Sequence, residues 1–110
     1  MNLPNAERTI IDIAKLRDYC LRPDHPRGRH KARVFASALG LTVDNAEELK
    51  TMLLQAILAY DAVPTHQDQY GQRYVVDVGI ETAVGRAMVR SAWIIKVGEE
   101  FPRLTSCYVL

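Results

Sequence analysis

The sequence lacks any apolar run approaching the ~20 residues that a membrane-spanning helix needs. Its apolar residues, 48% of the chain, are interleaved with charged ones. A helical membrane span is excluded. The stretch Met1-Asn-Leu-Pro-Asn-Ala-Glu-Arg8 also lacks the apolar segment of a signal peptide. The expectation is a cytoplasmic protein, unless the chain is the tail of a larger secreted one. Cysteine is scarce: Cys20 and Cys107 stand far apart and have the character of buried apolar residues. One disulfide is possible between them. A metal site is not expected, because no second Cys or His sits at ligand spacing, and no cofactor is implied. Net charge is nearly absent, 14 Lys and Arg against 13 Asp and Glu. The total therefore says nothing about partners, whereas the placement of the charges does. Repeats, low-complexity tracts and linkers are absent too, and 110 residues suit a single domain, 1–110, with one core.

One stretch breaks the even distribution of charge. Arg22-Pro-Asp-His-Pro-Arg-Gly-Arg-His-Lys-Ala-Arg-Val-Phe35 carries two His, four Arg and one Lys in fourteen residues. It starts as a proline-broken loop, Arg22 to Gly28, and the apolar spacing predicts a helix over Arg29 to Leu39. A basic loop feeding a helix N-terminus is suited to an anion, because free backbone N–H groups and the helix dipole add to the side-chain charge.

The remaining elements follow from periodicity. Residues 1–8 form a loose lead-in, and Thr9 to Ile13 is either a short edge strand or an extended approach. Ala14 to Leu21 is a short helix with Leu16, Tyr19 and Cys20 on one side, ended by Pro23. In the basic helix, Ala32, Phe35, Ala36 and Leu39 make the core stripe, and Gly40 is placed to stop it. Asp44 and Glu47 have the spacing of an N-cap and its N3 partner. They open a helix to about Tyr60 whose apolar face is Leu49, Leu53, Ala56, Ile57 and Tyr60. From Ala62 the period changes to two. Strands are expected at Ala62 to His66, Gln72 to Ile80, Arg86 to Val97 and Arg103 to Val109, joined by short turns as an antiparallel meander. The fold class is therefore α+β, N-terminal helices packed on one face of a four-stranded sheet.

Alternation sorts the strand residues by face. One set, facing the helices, is Tyr74, Val76, Val78, Ile80, Val89, Ser91, Trp93, Ile95, Val97, Leu104, Ser106 and Tyr108. The other is Arg73, Val75, Asp77, Arg90, Ala92, Ile94, Lys96, Arg103, Thr105 and Cys107, with four cations against one carboxylate. A register slip of one residue would exchange the faces of a strand.

The segment Lys15 to Phe35, with its His-Pro-x-Gly-x-x-Lys-Ala motif, together with Gly40-Leu41, Tyr70-Gly71, Val89-Arg-Ser-Ala-Trp-Ile94 and Pro102-Arg-Leu-Thr105, resembles an uncharacterised bacterial domain family of about this length. The layout of helices followed by a four-strand meander also resembles the barnase, EndoU, colicin and RelE-type ribonuclease toxins. That resemblance implies metal-independent cleavage of RNA, and a small acidic cognate antitoxin or immunity protein as a partner. It departs from barnase-like enzymes in one respect: the polar sheet face has no Glu to serve as the base, so a His would take that role.

On these grounds His25 is either a proton carrier or a loop residue whose ring fixes the turn. Lys31 is the cation best placed to stabilise a phosphoryl transition state. Arg29 and Arg33 would bind the backbone, or else form a solvated helix face. Arg90 and Arg103, on adjacent strands, would hold a phosphate with Thr105, unless Asp77 claims Arg90. His66 is a second titrating group or exposed polar surface. Two functions compete: a metal-independent ribonuclease using His25, Lys31, Arg90 and His66, with Arg29, Arg33, Arg103 and Thr105 on the substrate; or a non-catalytic module that uses the same basic surface to bind nucleic acid or protein.

Overall fold

Alternation from Ala62 onward produces four strands: β1 (Ala62–Asp68), β2 (Gly71–Glu81), β3 (Arg86–Lys96) and β4 (Arg103–Val109). In the computed structural model, which describes residues 1–110, they form one antiparallel sheet in the order β1-β2-β3-β4. Three helical segments precede the sheet. A single turn, α1 (Ile13–Lys15), widens into a π-helix (Leu16–Cys20); α2 (Arg29–Leu39) and α3 (Ala46–Ala56) follow. The fold is α+β, with the helices packed on one sheet face. Leu16, Cys20 and Leu21 from the π-turn, Phe35 and Leu39 from α2, and Leu49, Leu53 and Ile57 from α3 bury themselves against Val76, Val78, Val89, Trp93 and Leu104. No helix is long and apolar enough to cross a membrane.

Several expectations change in detail. The lead-in is packed rather than loose: Leu3 is buried, and the Met1 carbonyl accepts from the N–H of Ala62. Thr9 to Ile13 contributes one parallel bridge, in which the Ile10 N–H donates to Pro102 O and Ile10 O accepts from Leu104. The side-chain cap lies at Thr42, not Asp44: Thr42 and Asn45 form a capping box around a short 3-10 turn, Val43–Asn45, that runs directly into α3. Helix α3 stops at Ala56, and Tyr60 lies outside it, exposed. Ala36 faces solvent as well, so the stripe of α2 is Ala32, Phe35 and Leu39.

The most consequential change lies in β4. Ser91 faces Cys107 and Ala92 faces Ser106, but Trp93 faces Leu104, so β4 carries one extra residue between Leu104 and Ser106. Such a bulge reverses alternation beyond it. Leu104 and Cys107 both point into the core, whereas Ser106 and Tyr108 pair with Ala92 and Arg90 on the opposite face. The expected inward positions of Ser106 and Tyr108 and the outward position of Cys107 are therefore exchanged. Val97 lies past the end of β3 and is exposed.

Candidate functional site: a groove between the His25 loop and β4

The loop after the π-turn is built by His25 and Gly28. The His25 Nδ1 accepts from the backbone N–H of Arg27 at 3.1 Å and of Gly28 at 3.2 Å. The ring stands edge-on to Tyr19, with centroids 4.7 Å apart. Both backbone groups are donors, so Nδ1 must be the acceptor, and the neutral ring carries its proton on Nε2. At Gly28 a Cβ would lie 2.8 Å from the Tyr19 carbonyl oxygen, so the close approach of loop and π-turn requires glycine. The His-Pro-x-Gly spacing thus has a local cause: the ring folds back onto the two amides that lead into α2.

Helix α2 opens without an acidic residue in its first turn and without a side-chain cap at Gly28. Arg29, Lys31 and Arg33 instead load cations onto its first turns. The N–H groups of His30 and Lys31 have no backbone acceptor. This is an electrostatic mismatch within the chain that an external anion would relieve.

Beside the loop runs an open groove of about 630 Å³. One wall is Asp12, Lys15, Asp18 and Tyr19; the other is His25 and Arg27, with Thr105 and Ser106 of the β4 bulge completing it. Asp18 is engaged by Arg17 at 3.0 Å and Arg22 at 3.3 Å, and the Arg17 guanidinium foremost holds its carboxyl below the usual range. Asp12 accepts from the N–H of Ala14 through Oδ1 and has no cationic partner. Thr105 donates to Ala92 O at 3.1 Å.

Two groups of cations contrast. Arg73, Arg90 and Arg103 on the outer sheet face are each met by a carboxylate, Asp68, Asp77 and Glu99, at 2.8, 2.8 and 2.9 Å. The Arg90 and Arg103 contacts are two-pronged. Arg103 faces Ile94, four residues from Arg90 along β3, a separation of roughly 13 Å at strand rise. The two therefore do not sit side by side, and each already has an anion. By contrast, Lys15, Arg27, Arg29, Lys31 and Arg33 have no carboxylate within ion-pair distance; they lie along the groove and α2. Lys31 Nζ stands 4.5 Å above the Tyr108 ring.

His66 is on β1, with Nε2 3.5 Å from Asp68. Strand β1 and strand β4 are opposite edges of the sheet, so His66 and His25 do not meet. The groove-lining Asp12, Lys15, Tyr19 and Ser106 were not singled out by sequence reasoning. Ser106 in particular is turned to the groove by a bulge that leaves no signature in its neighbours.

A model of the family described as "Domain of unknown function (DUF6883)" matches residues 2–110. No curated protein matches the chain.

Proposed function

The chain belongs to that family, DUF6883, and we propose that it binds the phosphate backbone of single-stranded RNA along the groove and the exposed start of α2. The observation that carries this reading is the division of the cations. The three arginines of the outer sheet face are neutralised from within the chain, whereas Lys15, Arg27, Arg29, Lys31 and Arg33 are not. Two such side chains lining an open groove, Lys15 and Arg27, with three more on the adjoining α2, suit a polyanion better than a small enclosed ligand. The Nε2–H of His25, the hydroxyl of Ser106 and the free amides of His30 and Lys31 supply hydrogen-bond donors for phosphate oxygens.

A second reading, cleavage of that RNA without a metal, draws support from the tautomer of His25. A ring with its proton on Nε2 can act as general acid towards a leaving 5′-oxygen while the 2′-OH attacks phosphorus and forms a cyclic phosphate. The accompanying base would be Asp12, the groove carboxylate with no cationic partner. Lys31 would offset the developing charge.

Fluorescence anisotropy of a labelled oligoribonucleotide, titrated across salt, tests the binding reading. Affinity should fall linearly with log salt, by about 0.7 per phosphate neutralised. Arg27→Ala with Lys31→Ala should flatten that slope. Tight binding only to a small acidic protein, with none to RNA, would instead favour the antitoxin-like partner as the occupant.

A further inference from the structure

We propose that Cys20 and Cys107 form a reversible disulfide that clamps the π-helix to β4 beside the groove. They are the two cysteines of the chain, 87 positions apart, and the fold brings them together. The Cys107 N–H donates to Cys20 Sγ at 3.4 Å, both side chains are buried, and both belong to the core cluster. Each is preceded by a residue of the groove, Tyr19 on one wall and Ser106 on the bulge. A bond between the sulfurs would fix the distance between those two elements.

The two thiols are unequal. The hydrogen bond from the Cys107 thiol, followed by the Cys107 N–H and the charges of Lys31 and Lys15, pulls the Cys20 thiol below its usual range despite burial. The contact with Cys20, together with burial, pushes the Cys107 thiol well up. Cys20 is thus the nucleophile and Cys107 the resolving thiol. The π-turn is a rare and short form of helix, and a local opening of it would admit a small oxidant such as hydrogen peroxide to the buried Cys20. The Cys20 thiolate attacks the peroxide, the O–O bond breaks, hydroxide leaves, and Cys20 becomes a sulfenic acid. The Cys107 sulfur then attacks the Cys20 sulfur; the S–S bond forms, the S–O bond breaks, and the oxygen departs as water with the Cys107 proton. In sum, two thiols lose two electrons and two protons to one peroxide, and a dithiol reductant returns them.

The test uses the folded wild-type chain with hydrogen peroxide, followed by thiol titration, intact mass and a melting curve. The expected result is loss of both free thiols, a mass lower by two hydrogens, and a monomeric product. Tm should rise by on the order of 10 °C, because the closed loop spans most of the chain. Dithiothreitol should reverse all of these, and Cys107→Ser should stop at an oxygen adduct on Cys20 or at no reaction. The proposal is overturned if both thiols persist in the folded protein. It is overturned equally if they gain oxygens without pairing, or if they cross-link separate chains. Because the readout is thiol chemistry, the result is independent of whether the groove binds RNA.

Discussion

His25 is held at one ring nitrogen and keeps its proton on the other, so its removal has two separable consequences. The first is structural. His25→Ala leaves the amides of Arg27 and Gly28 without their acceptor and should cost roughly 0.5–2 kcal/mol, as the loss of a helix cap does. His25→Asn, which returns an acceptor oxygen near the same place, should recover part of the melting temperature. The second is chemical. If the groove cleaves RNA, His25→Ala should lower the rate by about 10²–10⁴-fold while binding changes little, and His25→Asn should not restore it. A rate that recovers with the melting temperature would make His25 purely structural. Gly28→Ala is a sharper probe of the loop alone, since its Cβ would approach the backbone of Tyr19, not a flexible side chain. It should destabilise by about 1–3 kcal/mol, read from chemical denaturation. The two roles of His25 stand as open alternatives in the sequence because either one places a His beside prolines in a turn; the donors that settle its tautomer are backbone groups, which no residue code records.

At the scale of elements, β3 is tied to β2 through a small buried relay. The Trp93 indole N–H donates to Ser91 Oγ at 2.8 Å, and Ser91 Oγ donates to Val76 O at 2.7 Å. Ser91→Ala would strand the indole N–H in the core and should cost about 1–3 kcal/mol; an unchanged denaturation midpoint would contradict the relay. The inward position of Val76, Val78, Val89, Ser91 and Trp93 was legible from alternation, because β2 and β3 pair without interruption. β4 was legible only as far as Leu104. Beyond it one extra residue reversed the faces, and a bulge depends on how two strands meet, not on the composition of either. The cap of α3 was missed for a related reason. Asp44 and Glu47 have suitable spacing, but Thr42 and Asn45 have it two residues earlier, and the 3-10 turn that leads into α3 is capped there.

Over the whole molecule, charge is arranged in two regimes. On the outer sheet face, Arg73, Arg90 and Arg103 hold the carboxyls of Asp68, Asp77 and Glu99 below their ordinary ranges. A carboxyl whose folded-state pKa is depressed stabilises the fold above its unfolded pKa, and that contribution is lost as pH falls through the folded value. The melting temperature should therefore hold steady from neutrality down to about pH 4 and drop below it, the ordinary carboxyl range being the upper edge of the window. Asp77→Asn should shallow that drop. In the second regime, along the groove and α2, Lys15, Arg27, Arg29, Lys31 and Arg33 have no carboxylate within ion-pair distance. The basic segment Arg22 to Phe35 was visible in the sequence as a cluster. The lack of an ion-pair partner for Arg27, Arg29, Lys31 and Arg33 within it was not, because Asp68 at the end of β1 and Glu99 in the turn before β4 reach Arg73 and Arg103, while nothing equivalent reaches Arg27 or Lys31.

That contrast between the two regimes is the centre of the account, and one comparison tests it most directly. The salt dependence of binding to a single-stranded oligoribonucleotide should be measured for the wild type, for Arg27→Ala with Lys31→Ala, and for Arg90→Ala with Arg103→Ala. The slope should fall by about 1.4, two phosphates' worth, in the first double variant, and stay close to wild type in the second. A slope that flattens only when Arg90 and Arg103 are removed would place the binding surface on the sheet and contradict the account.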